Sequence, residues 1–354
     1  MSSKQKVLFI LKRREDYNEI IHSPKGLSTG LYNSASFVSQ MLNDLGIPSR
    51  LEVATDNNCI DRLVSMHNPS HVIIEALWVV PEKFKVLTKL HPKVKWIVRI
   101  HSEMAFMSME GMAMDWLAQY LDYPEVNLGI NSPRMYREIA LYLKVRNSWN
   151  TSTTSKRILF MPNYYPEDFV TKKIDRKKPH VDVSCFGAVR PLKNHLSQAH
   201  AALRFCTVVG KKLKFHINAG RIEMKGEPIV RNLREMFNQL KLAGHELVEH
   251  EWTERDEFLK LCSRMDIGMQ CNFSETFNIV SADHISQGVP IVSSDEIPWA
   301  SGTGNSNPTN TEEMASTLEF VYAYPRLNVL SNKSNLKKYV KNTKKTWGDL
   351  FSKI

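Results

Sequence analysis

This sequence predicts an α/β protein of two doubly wound parallel sheets followed by a C-terminal helix. Three observations carry that expectation. Short apolar runs alternate with amphipathic stretches through each half of the chain, the pattern of parallel strands covered by helices. A charged, proline-containing stretch at residues 171–180 interrupts the alternation and reads as a linker. A length of 354 residues suffices for two hydrophobic cores of ordinary size.

Taken in order, residues 7–11 (VLFIL) form an apolar run of strand length. They are too few for the core of a signal peptide and run into Lys12, Arg13 and Arg14, so a first strand is the better reading. Further strands are expected at 49–54, 71–75, 96–100, 128–131 and 157–161, with helices at 34–45, 58–66, 81–90, 109–121 and 134–142. After the linker, strands at 181–186, 214–219, 246–250, 267–271 and 291–293 alternate with helices at 194–209, 228–242, 254–263 and 278–287. Domains are thus expected at 1–170 and 181–330, with a basic helix at 331–354. Open sheets of this kind bind ligands at the carboxyl ends of their strands.

The composition, 42% hydrophobic and 24% charged, is that of a soluble globular protein. No apolar run approaches the ~18 residues that cross a bilayer. Cys59, Cys185, Cys206, Cys262 and Cys271 are odd in number and lack C-x-x-C spacing. That argues against a disulfide framework or zinc site and points to a reducing cytoplasm. The formal net charge of +10 is localised: residues 331–354 hold seven Lys and one Asp, and residues 171–180 hold five Lys or Arg and one Asp. A solvated linker and tail would look like this, and so would a basic edge that meets nucleic acid or an anionic membrane.

The most informative segment is 274–294, read as a loop, a helix, a Gly-Val-Pro turn and a short buried strand. Glu275 falls on the loop and Asp283 about a turn and a half inside the helix, so both are expected to face one ligand across the helix N-terminus. The backbone N–H groups there, at Thr276, Phe277 and Asn278, suit a diphosphate. The two carboxylates suit the hydroxyls of a sugar and a ribose. Arg190 and Lys193 follow the first strand of the second half, and a compact Arg-x-x-Lys can close on a diphosphate from one side. His101 lies just past a strand of the first half, where it would point into a cleft. Gly26 and Gly30 sit between the first strand and first helix; they suit a backbone anion cradle but match neither a P-loop nor a G-x-G-x-x-G fingerprint. Met104, Met107, Met109, Met112 and Met114 follow His101, with core packing expected ahead of an adaptable acceptor surface. Each feature has a plain structural reading too: a helix cap, a solvated loop, a structural histidine, a βα turn.

At these residues the chain resembles the retaining glycosyltransferases of GT-B architecture, family 4 type, whose two Rossmann-like domains face each other. Their fingerprint appears as Glu275, seven residues, Asp283, then Gly288, Val289 and Pro290, with Asp where the family usually has Glu. The Arg190-x-x-Lys193 spacing and the stretch 101–116 resemble bacteriophage-encoded DNA glycosyltransferases, and Pro162-Asn163 is similar to the family's segment that crosses between domains. The resemblance implies transfer of a sugar, with retention, from a nucleotide-diphosphate donor (a UDP-sugar foremost) to a hydroxyl. Arg190 and Lys193 would neutralise the leaving diphosphate, Glu275 would hold donor-sugar hydroxyls, Asp283 the ribose, and His101 would orient sugar and acceptor. Gly26 and Gly30 would lie near the diphosphate. No cofactor beyond the co-substrate is implied, and no metal, since Asp-x-Asp is absent from the sequence. The acceptor expected first is a hydroxymethylated base in double-stranded phage DNA, modified in the host cytoplasm. The alternative is a lipid or envelope polysaccharide at a membrane surface, with Tyr339, Val340, Trp347, Phe351 and Ile354 in an interfacial helix. A non-catalytic nucleotide-sugar or DNA-binding module is a third reading. Sugar, nucleotide and oligomeric state stay open.

Overall fold

A computed structural model describes residues 6–12, 29–172 and 177–352. The chain divides into two compact units, Met1–Pro166 with Val340–Ile354, and Glu167–Tyr339. The first unit runs β1 (Val7–Lys12), α1 (Gly30–Asp44), β2 (Ser49–Ala54), α2 (Cys59–His67), β3 (His71–Glu75), α3 (Phe84–Leu90), β4 (Lys95–Ile100), α4 (Met104–Met107), α5 (Ala113–Tyr120), β5 (Val126–Ile130), α6 (Pro133–Arg146), α7 (Thr151–Arg157) and β6 (Ile158–Phe160). The second runs β7 (His180–Val189), α8 (His195–Val208), β8 (Lys212–Ile222), α9 (Glu227–Leu240), β9 (Glu246–Glu249), α10 (Arg255–Arg264), β10 (Ile267–Gln270), α11 (Ile279–Ser286), β11 (Ile291–Ser293) and α12 (Thr311–Ala323). A last helix, α13 (Pro325–Ser352), gives its first half to the second unit and its second half to the first.

In the first unit six parallel strands lie in the order β2-β1-β3-β4-β5-β6. The inner strands are largely apolar because a parallel sheet is covered on both faces; every residue of β3 is buried. On one face Leu8, Ile10, Val72, Ile74, Val98 and Leu128 share a core with Phe84, Trp96 and Tyr120. Phe9, which points the other way, meets Trp347 of α13 at 6.1 Å between ring centroids. The strand order reverses between β1 and β3.

The second sheet is also parallel, in the order β11-β10-β7-β8-β9, and its order reverses between β7 and β10. Gly268 in β10 is a packing requirement: a Cβ there would lie 2.7 Å from the His284 ring of α11. The ring stacks on Phe186, and its Nε2 lies 2.7 Å from Ser184 Oγ.

The strands fall where the sequence places them, within two or three residues. The helix expected at 109–121 starts four residues late, as α5, after a turn at 108–112, and α4 before that turn lies outside the expected elements. Of the methionines there, Met107 is buried, Met104 and Met114 pack against the core, and Met109 and Met112 are exposed. Helices α7 and α12 lie outside the expected elements. Among the described residues no helix is long and apolar enough to cross a membrane.

Candidate functional site

Ligands of open α/β sheets lie beyond the carboxyl ends of the strands where the order reverses. In the second unit that point is between β7 and β10, so two loops matter: 190–194 after β7 and 271–278 after β10. Both are built by buried amides. At the end of β7, Gly187 has φ of +111°, and its N–H donates to Asn218 Oδ1 at 2.9 Å. Residues Pro191–Lys193 then make one 3-10 turn, ended by Asn194 in the left-handed region. Asn194 Nδ2 donates to the carbonyls of Cys271 (3.1 Å) and Pro308 (2.7 Å). Gln198, fully buried, donates to Lys193 O at 2.7 Å and accepts from Cys271 N at 3.0 Å. One loop is thereby sewn to the other, by groups whose burial demands that every polar atom find a partner.

This stitching brings Lys193 Nζ onto the carboxylate of Glu275, which also accepts from Asn272 Nδ2 at 2.9 Å. Both side chains are about nine-tenths buried, with 9% and 10% of their surface exposed. The loop below the pair is rigid: Phe277 is buried against Trp299 and Tyr339, and its carbonyl accepts from Trp299 Nε1 at 2.8 Å. Asn278, at φ of +63°, caps α11 through its Oδ1 and Ser281 N at 2.8 Å. Asn278 Nδ2 also reaches Gln270 Oε1 at 2.8 Å. Thr276 is half-buried between them.

The other expected residues have partners that the sequence did not reveal. Arg190 pairs with Glu223 at 3.5 Å, and Glu223 also accepts from Arg221, whose guanidinium lies 4.6 Å over the Trp252 ring. Asp283 is buried within α11 and accepts from Arg255 NH2 at 2.7 Å. Glu275 and Asp283 are each paired with a different cation, Lys193 and Arg255. Gly30 is the first residue of α1, with Thr29 as its cap; a Cβ there would meet nothing within 4 Å. Gly26 lies outside the described residues.

In the first unit His101 follows β4 with its Nε2 on the Glu75 carboxylate and its Nδ1 3.3 Å from Asn131 Nδ2. Glu75 and Arg99 are fully buried and face each other across β3 and β4, at 3.1 Å. Burial pushes the Glu75 pKa up, but the Arg99 guanidinium and His101 outweigh it, so the carboxyl stays below its usual range. Burial lowers the His101 pKa, an effect that Glu75 only partly offsets. Arg99 also donates to Met161 O (3.1 Å), Pro162 O (3.3 Å) and Asn163 Oδ1 (2.7 Å), which ties the Pro162-Asn163 segment to this cluster. Glu75, Arg255 and Glu223 are the residues that sequence reasoning missed. Only Glu75 left a signal: an acid that directly follows the apolar run 72–74.

No family model matches the chain, and no curated protein matches it by sequence. Solved structures do match in shape. HepE from Anabaena, in complex with UDP-glucose, has a TM-score of 0.65 at 11% identity, over 99% of this chain and 100% of that one. The UDP-forming α,α-trehalose-phosphate synthase from Burkholderia xenovorans has a TM-score of 0.67 at 12% identity, over 98% of each chain. Sucrose-phosphate synthase from Thermosynechococcus elongatus has a TM-score of 0.66 at 11% identity, over 99% of each. The chain has the GT-B fold. At such identities the likeness establishes the fold, as the sequence led one to expect, and leaves the chemistry to the site.

Proposed function

We propose that this chain is a glycosyltransferase that moves a sugar from a UDP-sugar to a hydroxyl, with retention and without a metal. The observation that carries the reading is the Lys193–Glu275 pair at the strand-order reversal of the second unit. A cation and a carboxylate held together there by buried amides are the two groups that a sugar diphosphate needs. In this reading the donor separates them: Lys193 passes to the diphosphate and Glu275 accepts hydrogen bonds from sugar hydroxyls. Arg190 and the backbone N–H groups of 276–278 add to the charge stabilisation on the departing phosphate. Asp283, with Arg255, takes the ribose side. The departing phosphate takes the acceptor's proton, and attack is on the face it leaves. The second unit is the donor side and the first, with His101, the acceptor side. The solved structures that share the fold include one in complex with UDP-glucose, which supports the choice of donor.

For the acceptor, the reading is a hydroxymethylated base in DNA. It is supported by the exposed lysines of α13, Lys337, Lys338, Lys341 and Lys345, spaced so that three of them fall on one helical stripe. A base inside a duplex would be flipped out to react. Burial speaks against the interfacial helix of the membrane alternative: Val340, Trp347 and Phe351 are buried in the first unit, Tyr339 packs on Phe277, and Ile354 lies outside the described residues. The test is mass spectrometry of nucleosides after incubating hydroxymethylated and plain DNA with a panel of nucleotide sugars. A hexosylated nucleoside formed only from hydroxymethylated DNA is the expected result; transfer to neither DNA sends the search to lipid and polysaccharide acceptors.

A further inference from the structure

We propose that Glu75 is a positioning residue that fixes His101 in its Nε2–H tautomer and so leaves Nδ1 as the atom that accepts from a substrate hydroxyl. The inference rests on the transferase reading for its substrate, but its geometry stands within the first unit alone. Glu75 ends β3, entirely buried, where a carboxylate is costly without partners. Arg99 supplies one, as its cross-strand neighbour in the parallel register. A purely structural ion pair would be complete at that point. Yet the guanidinium is shared: NH1 faces Glu75, NH2 serves Pro162 O and Asn163 Oδ1, and Nε serves Met161 O. Glu75 Oε2, only 3.4 Å from NH1, is the oxygen that meets His101 Nε2.

The tautomer follows from what each group can do. A carboxylate only accepts, so Nε2 carries the proton. Arg99 already balances the carboxylate charge, which leaves the imidazole neutral and its Nδ1 an acceptor. Asn131 Nδ2 approaches that acceptor at 3.3 Å, and the same amide nitrogen lies 3.3 Å from Asn163 Oδ1. The amide therefore has a second acceptor and can yield Nδ1 to an incoming hydroxyl. Asn163 Oδ1 is itself held by Ser34 Oγ at 2.8 Å and Arg99 NH2 at 2.7 Å, so the frame around the ring stays fixed when that exchange occurs. Among the described residues, the charged groups facing His101 from β3 and β4 are Glu75 and Arg99; the Asn131, Asn163 and Ser34 side chains are neutral.

The test uses the full chain labelled with 15N-histidine, its His101 resonances assigned by loss in His101→Gln. Long-range 1H–15N correlations are expected to show a neutral Nε2–H ring from pH 6 to 8. An Nδ1–H ring, or an imidazolium at pH 7, overturns the proposal. In Glu75→Gln, turnover of UDP-glucose, by transfer or by hydrolysis, is expected to fall by at least about tenfold, with UDP affinity within about twofold of wild type, because a wrong tautomer costs rate and not donor binding. A folded Glu75→Gln protein with unchanged turnover and an unchanged tautomer also overturns it. Should that variant fail to fold, the wild-type spectrum decides alone. A protein that turns over no sugar nucleotide counts against the transferase reading, and the spectrum still decides the role of Glu75.

Discussion

Lys193 and Glu275 neutralise each other, and both are largely buried. If the donor separates them, each contributes to turnover through its own contact. Lys193→Met and Glu275→Gln keep bulk while removing charge, and each is expected to lower turnover by about 10²–10³, the usual effect of one preorganised electrostatic contact. Circular dichroism should show both folded; near-normal turnover in either would remove the assigned pair from the chemistry. If side chains are the cations of the proposed site, activity is expected to survive EDTA, and a strict requirement for added Mg²⁺ or Mn²⁺ would show that the diphosphate is neutralised in another way. Histidines set a different property. Burial holds the pKa of His71 and of His284 down at about 4, and that of His195 at about 3, against an ordinary 6.5. Between pH 6.5 and 4 the unfolded chain therefore binds protons that the folded chain refuses, so stability falls as pH falls, with a limiting slope of about 1.4 kcal/mol per pH unit for each such ring. The thermal midpoint should decline steadily from pH 6.5 to 4.5; a flat profile would mean these rings are not held neutral.

The behaviour of α13 is decided by packing. Trp347 reads, from the sequence, as an aromatic among lysines suited to a membrane interface. In the fold it is fully buried: its Nε1 donates to Pro162 O at 2.8 Å, and its ring lies 5.3 Å from the Arg99 guanidinium. Trp347→Ala is expected to cost about 3–5 kcal/mol, as for other buried aromatics. A midpoint within a degree of wild type would mean the helix is not docked as described. The same contrast separates what was legible from what was not. Continuous apolar runs such as 7–11 and 72–74 announce buried parallel strands. Helix α7, with the sequence TSTTSKR, has no apolar stripe and is rich in residues that compete for backbone hydrogen bonds. It forms because Asn150 caps it through Thr153 N at 2.8 Å. Helix α12 did carry a signal, Asn310 before Glu312 and Glu313 with apolar Met314, Leu318 and Val321 behind them. In the candidate site, the loop that carries Glu275 and the loop that carries Lys193 were legible from spacing. Their pairing was not, nor were Arg255 on Asp283 and Glu223 on Arg190, because residues 28 and 33 positions apart meet only through the fold.

At the scale of the whole molecule the open question is what the charge of +10 is for. Of the seven lysines in 331–354, Lys337, Lys338, Lys341 and Lys345 are exposed on α13, whereas Lys344 is half-buried, its ammonium 5.4 Å from the Tyr164 ring. Exposed lysines at i, i+4 and i+8 present one ridge of charge that matches a line of phosphates better than it matches a small anion. If duplex DNA is the acceptor, each lysine that neutralises a phosphate releases counterions, and the logarithm of the binding constant falls linearly with the logarithm of salt, by about 0.9 per contact. Replacing the four exposed lysines by Gln is then expected to flatten that slope by up to about 3.6 while leaving UDP binding and fold unchanged. The replacement of Lys344 alone should change the slope little. Hydroxymethylated and plain duplexes should share the slope, since it reports on the backbone, and differ only in turnover. A slope untouched by the fourfold variant would remove α13 from the DNA interface. Absence of any salt-dependent affinity for duplex DNA would overturn the acceptor assignment, and the donor site at Lys193 and Glu275 would still have to be tested on its own terms.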